Sequence, residues 1–107
     1  TSRLTVPAGG AGLYLLGATV KFDTSALSTA DYVGVYIMLN GTTVIAEQVF
    51  EGNFGASNPD TSITISTLYS LAAADYVEVY AYCSQALNVL ASSAFSPEFW
   101  AIWQRRP

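Results

Sequence analysis

Three glutamates are the residues of this 107-residue chain that most invite a catalytic interpretation: Glu47, Glu51 and Glu78. Two carboxylates held about 5–10 Å apart can hydrolyse a glycosidic bond. All three lie in or beside segments with the alternation of β-strands, and outward positions of a β-sandwich are usually solvated. The sequence therefore favours exposed carboxylates over a glycosidase site.

Other reactive residue types are few. Histidine is absent, which excludes Ser-His-Asp and Cys-His catalysis and histidine-ligated zinc. Asp23, Asp31 and Asp60 carry carboxylates that suit Ca²⁺, but no Asp-x-Asp spacing supports a site, and turn or capping roles are favoured. Cys83 is a single cysteine, and we expect it to pack as a small hydrophobic residue. We expect no catalytic residue, no cofactor and no metal, and a protein that is not an enzyme.

Charge is scarce in the whole chain. Only 11% of the residues are charged, against about 25% in an average domain, while 51% are hydrophobic and the net charge is −4. The cations Arg3, Lys21, Arg105 and Arg106 are too few and too scattered to neutralise nucleic-acid phosphates. The longest uncharged run, 79–97, contains too many polar residues for a membrane-spanning helix. We expect one domain over residues 1–107 that binds no nucleic acid and inserts into no membrane.

Apolar residues recur at every second position along most of the chain, which is typical of β-strands. The alternation predicts strands at 3–6, 13–22, 32–39, 43–50, 61–69, 75–83, 87–91 and 99–103. Asn40-Gly41 predicts a tight hairpin, because both central residues of a type I′ turn need a positive φ. Residues 70–74 could form a single helical turn at most. The pattern indicates an antiparallel β-sandwich or barrel.

Tyrosines occupy one side of two predicted strands. In the strand at 75–83, Tyr80 and Tyr82 lie opposite the small apolar residues, and Tyr36 and Met38 repeat this arrangement in the strand at 32–39. A half-exposed sheet normally turns charged or small polar groups to water. Tyrosine and methionine are instead enriched at the centres of protein interfaces. We predict that this face is buried by assembly.

Four segments, taken in order along the chain, carry a family resemblance: 6–15 (VPAGGAGLYL), 39–42 (LNGT), 71–79 (LAAADYVEV) and 96–102 (SPEFWAI). They resemble the complement-1q/tumour-necrosis-factor jelly-roll superfamily, in the form found in bacteriophage fibre, spike and tail proteins. Ala74 stands where the family usually has glycine, and the family's first strand is short or missing. The absence of disulfides and the short turns favour the phage form.

The resemblance implies an all-β antiparallel jelly-roll sandwich that assembles as a homotrimer. The sheet that holds residues 32–39 and 75–83 would face the threefold axis. Trp100 and Trp103 fall on opposite sides of the last strand, with Phe99 on the side of Trp103. We assign six residues to the trimer interface: Tyr36, Met38, Tyr80, Tyr82, Phe99 and Trp103.

The resemblance also implies a non-enzymatic virion component at the tip of a phage fibre, spike or tail protein. The chain would be the C-terminal part of such a protein, exposed on the particle and bound to other fibre or virion proteins. The predicted exposed loop at 52–60, with Asn53, Phe54, Ser57 and Asn58, is the expected contact with a host glycan or surface protein. Two alternatives remain open: a capsid or tail decoration module that binds no receptor, and a secreted host-type ligand of the same superfamily.

Overall fold

The computed structural model describes residues 3–24, 27–28, 31–52, 60–84 and 98–106. Within these residues the chain consists of β-strands and connecting segments: β1 (Arg3–Thr5), β2 (Gly12–Asp23), β3 (Tyr32–Leu39), β4 (Thr43–Glu51), β5 (Asp60–Leu71), β6 (Tyr76–Cys83) and β7 (Glu98–Arg105). The predicted all-β fold is confirmed. No helix in the described part of the chain is long and apolar enough to cross a membrane.

The strands form two antiparallel sheets. The four-stranded sheet, called sheet A below, has the order β1-β6-β3-β4, and the three-stranded sheet B has the order β5-β2-β7. In sheet A, β3 pairs with β4 on one side and with β6 on the other. In sheet B, β2 pairs with β5 along its full length and with β7 on its other side. Apart from the β3–β4 hairpin, consecutive strands alternate between the sheets, as in a β-sandwich.

The hydrophobic core lies between the sheets and consists of alternate strand residues. Its central side chains are at most 6% exposed: Leu16, Ala18, Val20 and Phe22 from β2, and Val33, Val35 and Ile37 from β3. Burying one Val, Leu, Ile or Phe side chain stabilises a fold by roughly 1.5–3 kcal/mol. The free energy gained by burying these side chains determines which side of each strand faces the core.

The strand boundaries predicted from alternation agree with the structure to within two residues. The segment at 87–91 lies outside the described residues. The helical turn considered for residues 70–74 is absent, because β5 continues to Leu71, which pairs with Gly12 and is 3% exposed. The chain then turns tightly, with the N–H of Asp75 bonded to the carbonyl of Ala72 and a positive φ of 72° at Ala74.

The predicted Asn40-Gly41 turn is confirmed. Both residues have positive φ values, 53° and 73°, and they connect β3 to β4. The Asn40 side chain also reaches the turn before β6: its amide donates to the Asp75 carboxylate at 2.9 Å, and its oxygen accepts from the N–H of Tyr76 at 2.9 Å. Two turns that are distant in sequence are thereby joined.

The Asn40–Asp75 contact predicts an acid-sensitive contribution to stability. The hydrogen bond from Asn40, with that from the N–H of Ala72, lowers the pKa of Asp75 below its usual 3.8. A lowered pKa means that folding favours the carboxylate, so the stabilisation is present above the unfolded-state value and is lost as the pH falls through the folded-state value. Thermal unfolding of the wild type and Asp75→Asn should show a gap in melting temperature at pH 5–6 that narrows below pH 4. A gap that stays constant down to pH 2 would contradict this explanation.

Candidate assembly surface on sheet A

The candidate site is the outer face of sheet A, which β3 and β6 form together. In the β3–β6 pairing, Tyr36 lies opposite Tyr80, Gly34 opposite Tyr82, and Met38 opposite Glu78. Because side chains alternate along a strand, the core residues Val33, Val35 and Ile37 force these neighbours outward. The outward residues Tyr32, Tyr36, Met38, Tyr80 and Tyr82 are called the tyrosine face below. Four of the residues predicted for the interface are therefore brought together.

The rings of the tyrosine face pack on one another. Tyr36 and Tyr80 are stacked, with centroids 5.1 Å apart and planes 7° apart. Tyr82 lies 5.7 Å from Tyr36 in a tilted arrangement and 6.2 Å from Tyr32 edge to face. Aromatic pairs at such distances contribute about 0.5–1.5 kcal/mol beyond the burial of their area. The rings form a continuous aromatic surface rather than separate exposed side chains.

Gly34 lets the Tyr82 ring lie close to the sheet. A β-carbon built on Gly34 would overlap the ring of Tyr82, its cross-strand partner. Any larger residue at position 34 would push the ring outward and disturb its contacts with Tyr32 and Tyr36. Gly34 therefore allows the Tyr82 ring to pack directly against the backbone of β3.

Carboxylates and one arginine border the aromatic surface. The Tyr82 hydroxyl donates to Glu47 at 3.1 Å, and the Tyr80 hydroxyl donates to Glu78 at 3.4 Å. Glu78 is only 6% exposed, and Arg3 pairs with it at 3.3 Å. The hydroxyls of Tyr80 and Tyr82 thus each have an acceptor, so these two groups can lose water without being left unpaired.

Arg3 belongs to this border through a second contact. Its guanidinium carbon lies 3.9 Å from the centre of the Tyr76 ring, a cation–π arrangement. β1 brings Arg3 opposite Glu78 and Thr5 opposite Tyr76 in the register of sheet A. The three-residue strand β1 therefore positions one cation beside the tyrosine face.

The hydroxyl groups of two tyrosines are held in their neutral form. Burial raises the pKa of Tyr80 above its usual 10.0, and the negative charge of Glu78 raises it further. Burial also raises the pKa of Tyr82, with the hydrogen bond to Glu47 as the next cause. Both groups are hydrogen-bond donors at neutral pH, and neither is activated as a nucleophile.

The other two residues predicted for the interface lie elsewhere. Phe99 and Trp103 are on β7 in sheet B, on the side that faces the core, where Phe99 packs against the core and Trp103 is 46% exposed. They share a side, as the alternation predicted, but they are not part of the tyrosine face. Trp100 is on the outer side of sheet B, where its ring covers Gly17. Alternation determines the side of a strand but not the sheet to which the strand belongs.

The remaining candidates have ordinary structural positions or lie outside the described residues. The receptor-contact residues Asn53, Phe54, Ser57 and Asn58 are outside them. Asp31 is 7% exposed and accepts bonds from Ser28 N–H at 2.8 Å and the Ser84 hydroxyl at 3.0 Å, in keeping with a turn role. Cys83 packs against the core as a partly buried residue. Among the described residues, no three His, Cys, Asp or Glu side chains are grouped as metal ligands.

Sequence reasoning missed an apolar row on the outer face of sheet B. Leu15 lies between Leu68 and Ile102 in the strand register, and Leu68 and Ile102 are 58% and 51% exposed. The signal was present in β5, whose outward positions are otherwise serine or threonine: Ser62, Thr64, Ser66 and Ser70. The sandwich thus has a strongly aromatic outer face on one sheet and a narrow aliphatic row on the other.

Comparisons of the sequence and the structure with known proteins found no match. No protein-family model matches the sequence, and no curated protein or solved structure matches the chain.

The raised pKa values predict late titration of two phenols. In a spectrophotometric titration near 295 nm, Tyr80 and Tyr82 should give a late-titrating component, and Tyr80→Phe with Tyr82→Phe should remove that component. Because folding raises these pKa values, the protonated phenols stabilise the folded state below their unfolded-state pKa of 10.0. This stabilisation is lost as the pH rises through the higher folded-state pKa. The free energy of unfolding should fall more steeply above pH 10 in the wild type than in the double variant. Identical titration curves for the wild type and the double variant would contradict the raised pKa values.

Proposed function

We propose that this protein is a non-enzymatic β-sandwich module that assembles as a homotrimer through the tyrosine face. In this proposal it is a complement-1q/tumour-necrosis-factor-like jelly roll and forms the head of a bacteriophage fibre, spike or tail protein. The trimer presents its loops to a glycan or protein on the host surface. Three linked copies multiply a weak contact of each loop.

The observation that carries the proposal is the tyrosine face itself. It joins stacked rings and a methionine into one apolar surface, and Tyr32 alone is 40% exposed. Contiguous apolar patches on a monomer mark binding sites, and interface centres are enriched in tyrosine and methionine. Each 100 Å² of apolar area removed from water contributes about 2.5 kcal/mol. Burying this face between subunits would therefore contribute favourably to association.

The polar border favours burial between copies of the chain. Glu47 and Glu78 already accept hydrogen bonds from Tyr82 and Tyr80, and Arg3 balances the charge of Glu78. The hydroxyls of Tyr80 and Tyr82 and the charge of Glu78 therefore need no matching group on a partner. This part of the surface can pack against identical surfaces around a symmetry axis.

The strand order supports the jelly-roll part of the proposal. An eight-stranded jelly roll pairs its strands in two sheets, 1-8-3-6 and 2-7-4-5. Adding one to each strand number here converts sheet A, β1-β6-β3-β4, to 2-7-4-5, and sheet B, β5-β2-β7, to 6-3-8. The described strands match positions 2 to 8 of that scheme, and this match supports the proposal of a jelly roll.

The chemistry of the site supports a role without catalysis. A tyrosine nucleophile requires a lowered pKa, whereas burial and neighbouring carboxylates raise the pKa of Tyr80 and Tyr82. Glu47 and Glu78 lie on β4 and β6, on either side of β3, and each is bound to a tyrosine hydroxyl. The carboxylates act as acceptors at the border of an aromatic surface.

Substitution of the tyrosine face should separate the trimer. We expect Tyr80→Asp and Met38→Lys to give monomers by light scattering at concentrations where the wild type is trimeric, because each places a charge in a dry interface. Leu68→Asp is the control: it places a charge on an exposed apolar side chain of sheet B and should remain trimeric. Circular dichroism establishes that each variant is folded. Folded, trimeric Tyr80→Asp and Met38→Lys proteins would refute the interface.

Host binding should depend on the trimer. Fluorescently labelled wild-type protein should bind intact bacterial cells of the host or an array of bacterial surface glycans, and folded monomeric Met38→Lys should bind at least about tenfold more weakly because multivalency is lost. Trimers that bind no cells and no glycans across a panel of bacteria would favour the decoration module. Equal binding by monomer and trimer would contradict the multivalent mechanism.

A further inference from the structure

The outer face of sheet B carries a tryptophan, Trp100, that belongs neither to the core nor to the tyrosine face. A β-carbon built on Gly17 would lie nearest Cζ2 of the indole and only 2.6 Å from both ring neighbours, Cε2 and Cη2, which places it over the face of the ring rather than beyond its edge. The indole thus lies flat on the backbone of β2, and its second face is directed away from the sheet. Trp100 is partly exposed. It forms a flat aromatic platform.

The strand register places the platform between an aliphatic row and a polar row. Trp100 pairs across β7 and β2 with Gly17, and Gly17 pairs with Ser66 on β5. The two flanking rows, read from β7 through β2 to β5, are Ile102, Leu15 and Leu68 on one side, and Glu98, Thr19 and Thr64 on the other. The surface around the indole is therefore amphipathic.

The polar row offers hydrogen-bonding groups beside the platform. The hydroxyls of Thr19 and Thr64 lie 3.0 Å apart and bond to each other. Since a hydroxyl can donate one hydrogen bond and accept two, this pair keeps capacity for a ligand. Glu98 and Ser66 are exposed, and Glu98 carries the single charge of the three rows.

A polar groove continues this surface beyond β5. Thr64 and Ser66 line the groove from β5, and Glu47 and Gln48 line it from β4. Its volume is about 390 Å³, within the range of about 300–1,000 Å³ that is usual for small-molecule sites. Because Thr64 and Ser66 border both features, a ligand that crosses β5 from the platform reaches the groove.

We propose that the outer face of sheet B binds a neutral glycan of pyranose sugars, with one sugar ring stacked on the indole of Trp100. A pyranose has an apolar face of C–H groups and a rim of hydroxyls. The C–H face covers the indole, and the hydroxyls bond to Glu98, Thr19 and Ser66. The next sugar lies over Ser66 and Thr64 and directs the glycan into the groove.

The chemistry of the three rows favours this ligand over others. An anionic glycan would meet the charge of Glu98, and an apolar partner surface would leave Glu98 and the hydroxyls of Thr19 and Ser66 unpaired. The site lies on the side of β7 away from that strand's outer edge, because the Trp100 ring extends over β2.

This inference deepens the proposed host binding, and it rests on that proposal for the source of the glycan. It adds a contact on the strands of sheet B to the proposed contact of the loops. In the proposed trimer, sheet A faces the threefold axis, so the outer face of sheet B is directed away from the axis and toward the ligand.

The test uses the full chain and a panel of neutral hexasaccharides of glucose, mannose, galactose and N-acetylglucosamine. Trp103→Phe leaves Trp100 as the single tryptophan. In this variant, at least one hexasaccharide should change the tryptophan fluorescence saturably and shift the indole N–H resonance. If no hexasaccharide of the panel produces either change, the proposal is overturned.

Substitutions at the platform make the test specific. Trp100→Ala should weaken binding of that hexasaccharide at least about tenfold, which corresponds to 1.4 kcal/mol, because the stacking surface is lost. Trp103→Ala is the matched control: it removes the same side chain from the other side of β7 and should bind like the wild type. Gly17→Ala keeps the indole but displaces it from the strand, and should also weaken binding at least about tenfold.

A second pair of variants tests the site without altering the indole. Ser66→Glu places a charge beside the platform and should weaken binding at least about tenfold. Ser70→Glu adds the same charge to an exposed position farther along β5 and should leave binding unchanged. Circular dichroism establishes that each variant is folded. The proposal is overturned if Trp100→Ala binds like Trp103→Ala, or if Ser66→Glu binds like Ser70→Glu.

The affinity of a soluble hexasaccharide is measured per chain, so it separates this inference from the trimer. Folded, monomeric Met38→Lys should bind the hexasaccharide with the affinity of the wild type. If the hexasaccharide binds and the wild type is a monomer, the trimer proposal fails and this inference stands. If labelled trimers bind cells and no hexasaccharide binds, this inference fails and the proposed function stands.

Discussion

Sheets A and B are held together by alternate side chains of β2 and β3, of which Leu16, Ala18, Val33 and Ile37 are completely buried. The side-chain period of a strand is two, so fixing these residues inward also fixes their neighbours outward. A slip of one residue in β3 would place tyrosines in the core and valines on the surface. The large difference in buried apolar area between the two registers makes the observed one unique, and every surface discussed above follows from it.

The outer faces differ because their outward residues differ, although both sheets share one core. On sheet A, the glycine at position 34 and the tyrosine opposite it allow rings to lie flat and touch one another. On sheet B, Gly17 accommodates the Trp100 ring in a similar way, but serines and threonines of β5 surround the neighbouring aliphatic row. Glycine opposite an aromatic residue thus appears once in each sheet, and in each case the ring shields the backbone that the glycine leaves bare.

Much of this arrangement could be predicted from the sequence, because alternation is a local property. It identified the strands, the Asn40-Gly41 turn, and the shared side of Tyr36, Met38, Tyr80 and Tyr82. It could not tell which sheet holds Phe99 and Trp103, since the pairing of β7 with β2 depends on contacts between segments about 85 residues apart. The polar border was also missed: the link of Arg3 to Glu78 exists only because β1 and β6 are neighbours in space.

The link between Asn40 and the turn at Asp75 has a consequence for the order in which the chain folds. The β3–β4 hairpin is local in sequence, yet its turn residue finds its side-chain partners 35 and 36 residues later. Contacts of such separation form late, because closing a long loop carries an entropic penalty before any contact rewards it. The stack of Tyr36 on Tyr80 requires the same two strands to meet. A nascent or partly folded chain therefore lacks a complete tyrosine face, so subunits acquire the surface proposed for assembly only when they are nearly native.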